Sequence, residues 1–152
     1  MTQIGGVARY YIPQGNAALF YAAVSADRIS GGGLADQLLL GGSNGLRGYP
    51  SRYQAGERRA LLSLEQRAYT DWYPFRLLRV GGAVFFDAGR AWGGLNQNTA
   101  NPGWLADVGV GLRIALDRAA FANVLHADIA VPLNRTPGIK SVQFVVKTEV
   151  TF

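Results

Sequence analysis

Twelve residues near the end of the chain, SVQFVVKTEVTF (141–152), alternate apolar and polar side chains one by one. Val142, Phe144, Val146, Thr148, Val150 and Phe152 fall on one face, and Ser141, Gln143, Val145, Lys147, Glu149 and Thr151 on the other. A period of two belongs to a β-strand, whose successive side chains point to opposite sides. One apolar and one largely polar face mark a strand between two different media. This rhythm runs through almost the whole chain, and no segment carries a persuasive amphipathic helix.

In 121–133, Phe121, Leu125, Ala127, Ile129, Val131 and Leu133 share a face broken only by Asn123, with His126 and Asp128 opposite. In 104–115, Trp104, Ala106, Val108, Val110, Leu112 and Ile114 oppose Asp107, Gly109, Gly111 and Arg113. In 76–91, Leu78, Val80, Val84, Phe86 and Ala88 oppose Arg79, Gly81, Phe85, Asp87 and Gly89. Segment 57–71 sets Leu62 and Leu64 against Ser63, Glu65 and Arg67, and two earlier strands fit 2–12 and 17–27. The pattern therefore predicts an all-β, antiparallel, up-and-down protein of seven strands. Soluble sandwiches use strands of about five or six residues, whereas crossing a bilayer takes about 9–11. Most of these segments are of the longer kind.

Aromatic placement and connection lengths point the same way. Tyr10, Tyr11, Tyr69, Trp72, Tyr73, Phe75, Trp92, Trp104, Phe121 and Phe152 lie near strand ends, as in an interfacial girdle. The connections at 13–16, 72–75 and 117–120 are short; those at 28–56, 92–103 and 134–140 are longer. In a meander these two sets fall on opposite sides, the asymmetry of an outer-membrane barrel. Seven is odd, while bacterial single-chain barrels of this kind have even strand numbers. A C-terminal section of a larger barrel is the preferred solution. The alternatives are an eighth strand within 34–41 and a barrel shared by two chains.

Composition closes several other routes. There is no cysteine, hence no disulfide, thiolate site or thiol nucleophile. The net charge of +5 comes from 15 scattered basic residues against 10 acidic ones, with no basic run. The aromatics alternate toward the apolar face, which argues against nucleic acid. MTQIGGVARYYIP lacks the basic and apolar regions of a signal peptide, and no apolar run is long enough for a transmembrane helix.

The loop GGSNGLRGYP (41–50) carries four glycines and one charge, Arg47. A phosphate loop is a poor reading, because no Lys-Ser/Thr follows. It resembles the [VL]-R-G-[FY] loop of the BamA/TamA-type outer-membrane barrels, the bacterial surface antigen family, which includes assembly factors and two-partner secretion transporters. Gly45, Leu46, Gly48 and Tyr49 frame the motif around Arg47. GAVFFDAG (82–89) is similar to that family's G-x-x-F-x-D-x-G strand, through Gly82, Phe85 and Gly89 around Asp87. LLSLEQR (61–67) resembles the strand after the loop, and DVGVGLRI and HADIAVPL the third- and second-last strands. The terminal Phe152 resembles the family's C-terminal recognition signal.

The resemblance implies a section of a 16-stranded barrel, lacking the periplasmic domains and about half the strands. It implies that the loop, 28–56, folds into the lumen, where Arg47 meets Glu65 and Asp87. The alternation independently puts both acids on the polar face. Gly89 is expected to leave room there for the loop backbone. Implied too are insertion or translocation of unfolded outer-membrane or secreted proteins, a bacterial outer-membrane location, and no cofactor, metal or enzymatic activity. Lipid, lipopolysaccharide, accessory assembly proteins or a second chain are the expected partners. A first-to-last strand seam would open laterally, with 141–152 as one side. The rival readings are a passive structural or pore-forming barrel, a small outer-membrane enzyme, and a soluble ligand-binding barrel. The enzyme would need a nucleophile beside His126. The polar lining of a lumen explains His126 and Asp128 better than a dyad does.

Overall fold

The computed structural model describes residues 1–42, 45–94, 103–116, 122–134 and 137–151. Among the described residues nine strands form: β1 (Thr2–Gln14), β2 (Ala18–Ser30), β3 (Leu38–Leu40), β4 (Gln54–Gly56), β5 (Arg58–Tyr69), β6 (Leu78–Trp92), β7 (Leu105–Leu116), β8 (Ala122–Pro132) and β9 (Gln143–Thr151). Seven build one sheet in the order β1-β2-β5-β6-β7-β8-β9, with every neighbouring pair antiparallel. This is the up-and-down meander that the alternation predicts. Among the described residues, single 3-10 turns stand at Leu34–Asp36 and Pro74–Arg76.

The eighth-strand alternative at 34–41 is corrected. Leu38–Leu40 is extended, but it pairs with β4 in a separate two-stranded hairpin. Three residues are too few to show a period, and both ends of this hairpin belong to the long connection between β2 and β5. The sheet is open: among the described residues β1 and β9 each have one partner strand.

The two faces of the sheet are inverted relative to a soluble protein. Val84, Val110, Phe144 and Val146 are 55–76% exposed on the outer face. Glu65, Asp87, Asp107, Arg113, His126 and Asp128 are buried on the inner one. In water such an outer face would form an apolar patch well beyond the few hundred Å² that soluble monomers tolerate. Against hydrocarbon it is the expected surface, and strands of 9 to 15 residues are long enough to cross.

The β2–β5 connection folds back over the inner face. Its Leu40, Leu46 and Tyr49 pack on Ala91 of β6 and Leu105 of β7, flanked by Tyr53, Leu61 and Ile139. The main apolar core therefore lies between loop and wall, near the long-loop rim.

Candidate functional site

Glycines shape the loop that carries Arg47. Gly41, Gly42 and Gly45 have φ of 127°, 59° and 108°, in the left-handed region that only glycine adopts cheaply. Gly48 brings the backbone against the wall. A Cβ there would press on Asp107 and the backbone of Pro132, and the Gly48 amide donates to Asp107 Oδ2 at 2.8 Å. Tyr49 ties the next step down. Its hydroxyl lies 3.1 Å from the carbonyl oxygens of Ala106 and Asn134 and accepts from the Asn134 amide at 3.1 Å. Burial pushes the Tyr49 phenol above its ordinary pKa, against the lowering effect of hydrogen bonds to Asn134 and Ala106.

Between these anchors Arg47 points into the acidic wall. Its Nε and Nη2 donate to the two oxygens of Asp87 at 2.7 and 2.9 Å, a bidentate fork. Nη1 donates to Glu65 Oε2 at 2.8 Å and to Asp128 Oδ2 at 3.1 Å. The guanidinium carbon stands 3.4 Å from the centre of the Phe85 ring, close enough for a cation–π contact. Gly109, opposite Phe85 in the β6–β7 register, leaves the ring its space, since a Cβ there would collide with it. Burial alone would lower the Arg47 pKa. The hydrogen bond and charge of Asp87, then of Glu65, outweigh it, so the guanidinium titrates above its ordinary value and stays charged.

The carboxylates are held in turn. Glu65 Oε1 accepts from Arg67 Nε at 2.6 Å and Arg113 Nε at 2.9 Å. Arg113 Nη1 donates to Asp128, and Ser63 Oγ to Asp87. Arg47, Arg67 and Arg113 thus interleave with Glu65, Asp87 and Asp128 across strands β5 to β8. A cavity of about 50 Å³ remains beside them, lined by Arg47, Arg67, His126 and Lys147 among others.

Arg47, Glu65, Asp87 and Phe85 converge at this one point, and Gly45, Leu46, Gly48 and Tyr49 surround it. Gly82 of the strand motif lies on the outer face with Val84 and Phe86, the face its phase gives it, where an added Cβ would meet only an ordinary contact with Gly111. One expectation needs correction. Gly89 faces inward, but its space is taken by the Ala60 carbonyl of β5 and the side chains of Leu61 and Leu40, not by loop backbone. The backbone approaches at Gly48 instead. Phe152 and Phe121 lie outside the described residues. Asp107, Arg67, Arg113 and Asp128 join the site although alternation alone gives them only the polar face. Their shared phase with Asp87 and Glu65 was the available signal.

The loop arginine is forked onto an aspartate of an inward strand face, under an inside-out sheet. A family model of the Omp85 superfamily domain matches residues 1–149. The chain belongs to the Omp85 superfamily. No curated protein and no solved structure matches it. Membership in this outer-membrane protein assembly and translocation family fits the outward apolar face and the long-loop asymmetry. For the Omp85 chain, the ion-pair cluster can do one thing well. It can hold a long loop against a strand wall that has little other apolar filling.

Proposed function

We propose that this Omp85 chain is the C-terminal section of an outer-membrane barrel that inserts or translocates protein substrates without enzymatic chemistry. The carrying observation is the Arg47–Asp87 fork, which joins residues 40 positions apart and fastens the long loop over β5 to β8. A loop fixed in this way keeps the inner wall shaped while the sheet edges are left to pair with incoming strands. The β9 edge offers one row of backbone donors and acceptors for such β-augmentation. Unfolded outer-membrane or secreted proteins are the substrates this chemistry suits, since recognition runs through backbone and not through sequence.

Reconstitution of the full parent protein in liposomes tests this. The natural protein should accelerate insertion or passage of an unfolded barrel substrate, and Arg47→Ala should abolish most of the acceleration. Ion conductance without any effect on substrate would support the passive pore instead.

A further inference from the structure

Of the inward-facing arginines, Arg47, Arg59, Arg67 and Arg113 are each matched to a carboxylate. A different set faces outward at the long-loop rim. Arg28 near the end of β2 and Arg58 at the start of β5 are direct cross-strand partners. Arg58 in turn opposes Trp92, and Arg90 opposes Ala60, which places Arg90 diagonal to Arg58. Directly opposed residues hold their Cβ atoms about 4.5–5.5 Å apart, and like charges so placed are destabilising.

Nothing acidic relieves the Arg28–Arg58 pair among the described residues. Asp27 turns inward to Arg59, 2.7 Å away. The Glu57 side chain lies against Gly93 and Gly94. The side chains of Arg28 and Arg58 are exposed and make no hydrogen bond or ion pair among the described residues. The Arg90 guanidinium carbon lies 5.9 Å from the centre of the Trp92 ring. Below them the outer face turns apolar, with Val24 and Val84 54% and 56% exposed. The cations therefore sit at the boundary of an apolar band, beside the rim aromatics Trp92 and Trp104, where lipid headgroups lie.

We propose that Arg28, Arg58 and Arg90 form a binding site for the phosphates of a phosphorylated glycolipid in the leaflet at the long-loop rim. This rests on the chain being a membrane barrel. Phosphate cancels the repulsion between Arg28 and Arg58, and the planar guanidinium fork matches its oxygens two at a time. Three cations spread over β2, β5 and β6 suit a headgroup with more than one phosphate. Trp92, flanked by Arg58 and Arg90, offers an apolar ring to a sugar face.

The test uses the chain folded in detergent micelles and titrated with diphosphoryl lipid A, its dephosphorylated form, or inorganic phosphate, with bound lipid read by native mass spectrometry. The unaltered chain should bind the diphosphoryl lipid. The R28Q/R58Q variant should bind it about a hundredfold more weakly, about tenfold for each guanidinium–phosphate bond removed. R28K/R58K should fall between. Arg9→Gln, which removes a cation lining the inner groove, should bind normally. Equal binding by R28Q/R58Q, equal binding of the dephosphorylated lipid, or displacement of the lipid by inorganic phosphate at comparable concentration would overturn the site. Sedimentation without detergent separates the two levels. A compact detergent-free monomer would bring down the membrane reading and the site with it. A detergent-requiring chain whose lipid binding ignores Arg28 and Arg58 would bring down the site alone.

Discussion

Strands β1 and β6 have ladders of similar quality and opposite surroundings. β1 pairs with β2 through all 13 of its residues, yet every one of the 13 is exposed. β6 has neighbours on both sides, and from Gly81 to Ala91 its inward residues are all buried. The inner face of β1 opens on a groove of about 670 Å³ lined by Gln3, Val7 and Arg9 from β1 and by Asp27 and Arg59 from β2 and β5. Backbone hydrogen bonds contribute only about 0.5–1.5 kcal/mol each, net of water, so the ladder alone does not distinguish the two. The loop does. It brings Leu40, Leu46, Tyr49 and Arg47 to one half of the inner face and leaves the other half open. In a fold whose apolar side chains point outward, the loop supplies the core that the sheet lacks.

Arg47→Ala is expected to erase most of this difference. Breaking a dry buried ion pair costs about 3–5 kcal/mol. The adjoining cavity, about 50 Å³, is large enough for water, which puts the effect at or below the lower end. Urea unfolding in lipid should show the loss, and hydrogen exchange should show β6 amides approaching those of β1. Asp87→Ala should behave alike, and the double variant should be less damaging than the sum, the mark of direct coupling. Arg47→Lys should rescue only in part, because an ammonium cannot reproduce the fork to Asp87. Additive losses would show that the loop is held by its apolar contacts alone.

Leu46→Ala separates those contacts from the charges. Leu46 is fully buried in the loop–wall core, and such truncations cost about 2–5 kcal/mol. The ion pairs stay in place, so the measured destabilisation should be the same at low and high salt. A strongly salt-dependent loss would mean that Leu46 acts through the Arg47 cluster.

Tyr49 adds a smaller effect tied to pH. Its phenol is neutral and raised in the folded chain, while in the unfolded chain it ionises near pH 10. Above that pH the unfolded state holds fewer protons than the folded one, so stability falls as pH rises through about 10. Arg47, raised as well, keeps its contribution throughout the range below its unfolded pKa. Loop docking, followed by Tyr49 fluorescence or exchange, should be flat from pH 7 to about 9 and weaken above 10. Tyr49→Phe should remove the weakening and cost about 1 kcal/mol at neutral pH for the missing hydroxyl bonds.

Much of this contrast was written in the phase of the side chains. Alternation places Glu65 and Asp87 on one side and Val84 and Phe86 on the other, because the two media impose it residue by residue. The same count placed Gly82 outside, though the motif grouped it with Phe85 and Asp87. Phase gives the face but not the height along the strand. Only the register, with Gly111 opposite Asp128 and Arg113 opposite His126, shows that Asp128 and Arg113 meet and extend the cluster to Glu65. Leu40 was opaque for another reason. A three-residue strand in a hairpin of the loop has no period to read, and its packing against Gly89 depends on a fold-back that local pattern does not encode.

The smallest expected effect lies on the open half. Val7 faces the groove and is 53% exposed, and substitutions at exposed sites away from caps and buried networks usually stay within about 0.5 kcal/mol. Val7→Ala and Gln3→Ala should therefore leave the unfolding midpoint of this chain nearly unchanged, while Ala91→Ser on β6 puts a hydroxyl into the loop–wall core and should be costly. Placing the same Val7→Ala change in the full parent protein sharpens the point. If the groove stays open there, the loss remains near zero. A loss above about 1 kcal/mol, of the size that marks a packed site, would mean that β1 is covered in the assembled barrel and that the bare half belongs to the chain alone.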